Sequence, residues 1–139
     1  MRAIKLTVMI LIAAALCAAA VFMNKKPVFR VGASYTFYTG SNSSNCNIIE
    51  AGNMAPLIVL TLKDISGEAT TYPELDVETF LSGVDGRILF TEELSDSVNY
   101  YCSADLPYSV ELYGETVNLH VCVKENGVTV ASPVIFGGY

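Results

Sequence analysis

The hydrophobic and polar positions of the chain follow two different regimes. Residues 6–23 form an apolar run interrupted only by Thr7 and carrying no charge. As a helix, that run rises about 27 Å, close to the ~30 Å hydrocarbon core of a bilayer. Beyond residue 28 the apolar positions alternate or recur in short groups. Residues 28–39 put Tyr35 and Phe37 on one face and Ser34, Thr36 and Tyr38 on the other, which predicts a strand. Residues 46–50 predict a short returning strand. Pro56 precedes the nearly continuous apolar run 57–62, which reads as a strand covered on both faces.

One helix is predicted after it. Thr71, Pro73 and Glu74 fit a capping box with Thr71 as N-cap. Val77, Phe80, Leu81 and Val84 then recur at helical spacing, and Gly83 or Gly86 can end the element. Residues 87–91, 98–104, 108–113, 116–124 and 128–136 read as strands parted by short turns, so neighbours run antiparallel. The clearest alternation places Val117, Leu119, Val121 and Val123 inward and Thr116, Asn118, His120 and Cys122 outward. The predicted class is α+β: an N-terminal transmembrane or signal helix, a β-rich domain with one short amphipathic helix, and a C-terminal antiparallel meander. Residues 1–26 are the signal-anchor or signal peptide and 27–139 the extracytoplasmic α+β domain, with residues 24–30 as tether.

Composition sharpens this division. The chain is 52% hydrophobic, but 20 of its first 26 residues are hydrophobic, so the excess belongs to the N-terminus. Arg2, Lys5, Lys25, Lys26 and Arg30 precede every acid. From Val31 onward only Lys63, Arg87 and Lys124 stand against fourteen acidic residues, a net −11. That charge repels phosphate backbones and argues against a nucleic-acid partner. The expected partners are the membrane, through residues 6–23, and a protein or cell-surface molecule.

Ala18-Ala19-Ala20 offers a cleavage site, and the run continuing through Met23 to Lys25 and Lys26 favours a retained single-pass anchor. Basic residues flank both ends almost equally; the short N-terminal flank favours an extracytoplasmic body. Secretion after cleavage is the alternative.

The body holds three cysteines, Cys46, Cys102 and Cys122, enough for one disulfide. Together with His120, the only histidine, they supply four zinc-ligand types, but without a C-x₂-C knuckle. A thiol or metal enzyme using them is the second functional reading. Glu92, Glu93 and Asp96, and Glu74, Asp76 and Glu78, read as solvated or capping acids. Tyrosines on the later strands, Tyr100, Tyr101, Tyr108 and Tyr113, are the candidate recognition surface. Asn42-Ser43-Ser44, in the Ser/Asn-rich loop 41–47, fits a glycosylation acceptor. No nucleotide, nucleophile-elbow or metalloprotease motif occurs, and no cofactor is expected.

Residues 96–102, DSVNYYC, resemble the D-S-x-x-Y-Y-C stretch of an immunoglobulin F strand. The resemblance implies an adhesion domain with Cys46 and Cys102 bridged between two sheets. The chain departs from that pattern in having no tryptophan and a helix predicted between the two cysteines. The favoured function is a membrane-anchored, non-catalytic interaction domain.

Overall fold

The computed structural model describes residues 1–40 and 46–136. Most of the Ser/Asn-rich loop, with its glycosylation acceptor at Asn42, lies outside the described residues. The chain opens with α1 (Arg2–Asn24), which has no buried residue. It is long and apolar enough to cross a membrane, at the N-terminal position a signal sequence also occupies.

The body is built on one antiparallel sheet. Its strands are β1 (Ser34–Thr39), β2 (Asn47–Glu50), β3 (Ile65–Tyr72), β4 (Arg87–Glu93), β5 (Ser97–Ser103), β8 (Leu119–Lys124) and β9 (Gly127–Ser132). They lie in the order β2-β1-β3-β9-β8-β5-β4. A separate hairpin, β6 (Val110–Leu112) and β7 (Glu115–Val117), interrupts the meander between β5 and β8. The two halves of the sheet meet at β3 and β9, paired from Glu68 opposite Ser132 to Tyr72 opposite Val128. A single helical turn, α2 (Ala55–Ile58), and a short helix, α3 (Val77–Gly83), complete the body.

Alternation along each strand sorts the side chains onto two faces. The core face carries Tyr35, Phe37, Val130, Val121, Leu119 and Cys102, all essentially inaccessible. Leu81, Val77 and Phe80 of α3 and Val84 just after it cover it together with Ala55, Val59 and Phe29. The expected helix and its apolar face are thus present. Its cap is different: Asp76 is the N-cap, its carboxylate accepting from the Thr79 N–H at 2.9 Å. Thr71 belongs to β3, where its hydroxyl meets that of Thr129 at 3.0 Å.

The run 57–62 is not a strand. Pro56 stands in the first turn of α2, where its fixed φ suits a helix and its missing N–H is no loss. Ala55 and Val59, four apart, turn inward while Leu57 stays exposed. The strand that follows it and pairs with β1 on the side away from β2 is β3, whose Gly67 and Glu68 dilute its β-propensity. The expected strand 116–124 is broken at Asn118, whose side-chain amide donates to the Ala104 carbonyl and whose carbonyl accepts the Ala104 N–H, both at 2.5 Å. Val117, Leu119 and Val121 do point inward and are fully buried.

The expected tether is for the most part docked as a strap. Phe29 is buried, its N–H donating to the Tyr35 hydroxyl at 3.1 Å. Further along, the Gly32 N–H donates to Thr70 Oγ1 at 2.9 Å and the Ala33 N–H to the Thr71 carbonyl at 2.7 Å. A Cβ at Gly32 would stand 2.2 Å from the Thr71 carbonyl oxygen, so the strap lies this close to β3 only with glycine there.

Leu119→Ala, at the centre of the core face, is expected to lower the unfolding free energy by about 2–5 kcal/mol. Asp76→Ala, which removes only a helix cap, is expected to lower it by ~1 kcal/mol. Urea denaturation of the full chain in maltoside micelles measures both, and equal losses would contradict this division between core and cap.

Candidate functional site

The second sheet face holds the residues with the most chemistry. In β8, His120 is 1% exposed rather than outward in solvent, because residues 133–136 lie across this face. The Ile135 N–H donates to His120 Nδ1 at 3.2 Å. A backbone N–H only donates, so Nδ1 carries no proton, and Nε2–H donates to Asn99 Oδ1 at 2.9 Å. Burial holds the imidazole down, to about 4, and it stays neutral at pH 7.

His120 begins a row of rings. Tyr101 faces it across the β5 and β8 pairing, stacked at 4.5 Å and 21°. On β4, Phe90 stacks on Tyr101 at 4.6 Å and 18°. Both separations match the ~4.8 Å between neighbouring strands. Phe90 joins the row because β4 is irregular between Ile88 and Phe90, so Phe90 rather than Leu89 stands opposite Tyr101. Two residues on, Glu92 shares that face, and its carboxylate accepts the Tyr101 hydroxyl at 3.3 Å. Tyr113, at the tip of the β6 and β7 hairpin, closes the row edge-on to Phe90 at 5.7 Å and 81°. Phe90, Glu92, Tyr101, Leu112 and Tyr113 line a cleft of about 240 Å³.

Tyr113 is 93% exposed and adopts φ +50°. The following Gly114 is also at positive φ, +78°, as tight hairpin turns require. A bulky side chain in that left-handed region is strained, and glycine, asparagine or aspartate usually occupies it.

The candidate tyrosines therefore separate. Tyr101 and Tyr113 meet around Phe90, a residue the sequence pattern did not single out. Tyr100 points to the opposite face and packs on the main core, as alternation demands of adjacent residues. Tyr108 hydrogen-bonds the Glu68 carboxylate.

Glu68 is the second residue that sequence reasoning missed. It is 1% exposed on the core face. Its carboxylate accepts the Val28 N–H at 3.2 and 3.3 Å, the Tyr35 hydroxyl at 3.0 Å and the Tyr108 hydroxyl. Burial raises its pKa, partly offset by those donors. Burial and the neighbouring carboxylate also push both phenols up, so each keeps its proton to donate.

The cysteines are not gathered. Cys102 lies in the main core, Cys122 on the opposite face opposite Asn99, and Cys46 beside Tyr38 and Phe136. All three are free thiols in the structure, among them Cys46 and Cys102, which the immunoglobulin resemblance would bridge. One seven-stranded sheet with helices on one face, plus a separate two-stranded hairpin, stands where that resemblance implied a two-sheet sandwich. Among the described residues no three His, Cys, Asp or Glu side chains are placed to hold a metal ion. Burial pushes the Cys102 thiol up to about 11 and raises Cys122, opposite to what a thiolate nucleophile needs. His120 has both ring nitrogens engaged and shares its face with Cys122 alone of the two buried thiols.

Comparisons with family models, curated proteins and solved structures return no match to this chain.

The two buried ionisable groups pull stability in opposite directions with pH. The depressed pKa of His120 gives stability that is full above ~6.5 and is lost as pH falls through about 4, on the order of 3 kcal/mol. His120→Gln is expected to be less stable than wild type at pH 7 and to change less between pH 7 and pH 4. The raised pKa of Glu68 works the other way: its contribution is full below ~4.3 and fades as pH rises through the folded-state value. The stability advantage of wild type over Glu68→Gln is expected to shrink from pH 4 to pH 8. Denaturant titrations across that range check both signs; parallel curves for wild type and either variant would refute the corresponding assignment.

Proposed function

We propose that the chain is a membrane-tethered, non-catalytic binding domain, its N-terminus inside and its acidic body on the extracytoplasmic side. The observation that carries this reading is the state of α1: 23 residues, none buried against the body. Its larger apolar side chains, Leu, Ile, Val, Phe and Met, each lose roughly 1.5–3 kcal/mol by remaining in water, which supports a bilayer as the surroundings of such a helix. The cleft supports binding rather than chemistry. Its walls are three rings, a leucine and one carboxylate; elsewhere the buried thiols keep their protons, and the buried imidazole has both ring nitrogens already engaged.

Secretion after cleavage is the second reading, favoured by one specific observation. The strap makes its hydrogen bonds to the body from Lys25 onward, so cleavage after Ala20 would leave every such contact intact.

Expression of the full chain with a C-terminal reporter active only outside the cytoplasm tests the topology. The expected result is reporter activity, resistance to alkaline carbonate extraction and an intact mass that includes residues 1–20. A reporter active only inside would overturn the orientation. A mature chain beginning at Val21 and released from the membrane would replace the tethered form with the secreted one.

A further inference from the structure

We propose that the cleft formed by Phe90, Glu92, Tyr101, Leu112 and Tyr113 binds the guanidinium group of an arginine side chain presented by a peptide or protein partner. This rests on the reading of the body as a binding domain and names the chemistry that its exposed rings recognise.

Three observations converge on a planar cation. The first is the row itself. His120, Tyr101 and Phe90 stack nearly parallel at one-strand spacing, and β4 is the edge of the sheet, so Phe90 is the last rung. A flat group lying on Phe90 continues the stack, and Tyr113, at 81° to Phe90, gives the cleft a second wall. Aromatic faces attract cations through the ring quadrupole, and guanidinium combines that attraction with ring-like stacking.

The second is Glu92. Its carboxylate stands two residues from Phe90 on the same face, at the cleft rim, and among the described residues no lysine or arginine lines the cleft. A guanidinium stacked on a ring keeps its N–H edge free, and that edge matches a carboxylate in a paired geometry an ammonium cannot reproduce. A quaternary ammonium has no N–H to offer at all. The net −11 of the body beyond residue 31 adds a long-range field that draws cations and disfavours anionic occupants.

The third is the backbone at Tyr113. A tyrosine held at φ +50° and 93% exposed has no packing explanation that a smaller turn residue would not satisfy better. What the strained turn achieves is to stand a ring across from Phe90. The volume, about 240 Å³, suits the head of one side chain rather than a large ligand.

The test is ring-carbon NMR of the full chain in maltoside micelles, titrated separately with N-acetyl-arginine amide, N-acetyl-lysine amide and choline chloride. The expected result is a saturable shift of the Tyr113, Phe90 and Tyr101 rings with the arginine compound, at a dissociation constant of roughly millimolar. Glu92→Gln and Tyr113→Ala are each expected to weaken that binding about fivefold. Tyr113 is on the surface and Glu92→Gln is nearly isosteric, so both variants keep the fold. Glu78→Gln removes one charge on α3 and is expected to leave binding unchanged, which separates the local carboxylate from net charge. Absence of saturable shifts, equal or tighter binding of lysine amide or choline, or an unaffected Glu92→Gln would each overturn the proposal. The topology assay is independent of this cleft, so these failures leave the tethered-domain reading standing, while a cytoplasmic body that still binds arginine would sink only that reading.

Discussion

Much of the body hangs on one buried carboxylate. Glu68 sits at the middle of β3, and the groups it draws in come from three other places: Val28 in the strap, Tyr35 in β1 and Tyr108 in the loop before β6. A carboxylate deprived of water is destabilising unless its oxygens are occupied, and burial without donors costs far more than a hydrogen bond returns. Glu68 meets that demand with neutral donors instead of a cation. The demand is what organises the region. Each donor must arrive together with its own chain segment, so the strap, the sheet and the loop are assembled around one acid. The phenol of Tyr35 serves twice, receiving the Phe29 N–H while donating to Glu68.

How much of this was legible depended on range. The inward alternation of Val117, Leu119 and Val121 was readable because it is local and period two. So was the α3 face, since Val77, Phe80, Leu81 and Val84 repeat at helical spacing within eight residues. The run 57–62 misled because a short apolar stretch fits a strand or a buried turn equally well, and the deciding residue, Pro56, sits just before it. Glu68 was invisible because its donors lie 33 and 40 residues away in sequence. In isolation it reads as an ordinary surface acid.

The aromatic row failed to announce itself for a different reason. His120, Tyr101 and Phe90 come from three strands, and their alignment depends on strand register and on one irregularity in β4. No spacing rule within a single segment encodes that. Alternation along β5 puts Tyr100 and Tyr101 on opposite faces, although the two stand together in the recognition surface expected from sequence, and nothing local says that the face shared by His120 and Cys122 is roofed by residues 133–136. Polarity suggested solvent; the Asn99 and Ile135 partners of His120 explain why a polar ring is buried there at little loss.

The strap has a consequence for reach. Between the end of α1 at Asn24 and the first bond to Glu68 at Val28 the chain advances four residues, at most ~14 Å when fully extended. Lys25 shortens that further through its ammonium contact with the Leu62 carbonyl. With the helix in a bilayer, the body is therefore no ball on a long string but a stub on a short leash. It sweeps a disc close to the lipid surface instead of a hemisphere above it. Under the proposed tethering, a partner would have to come down to that layer or already reside in it, and its search would become two-dimensional.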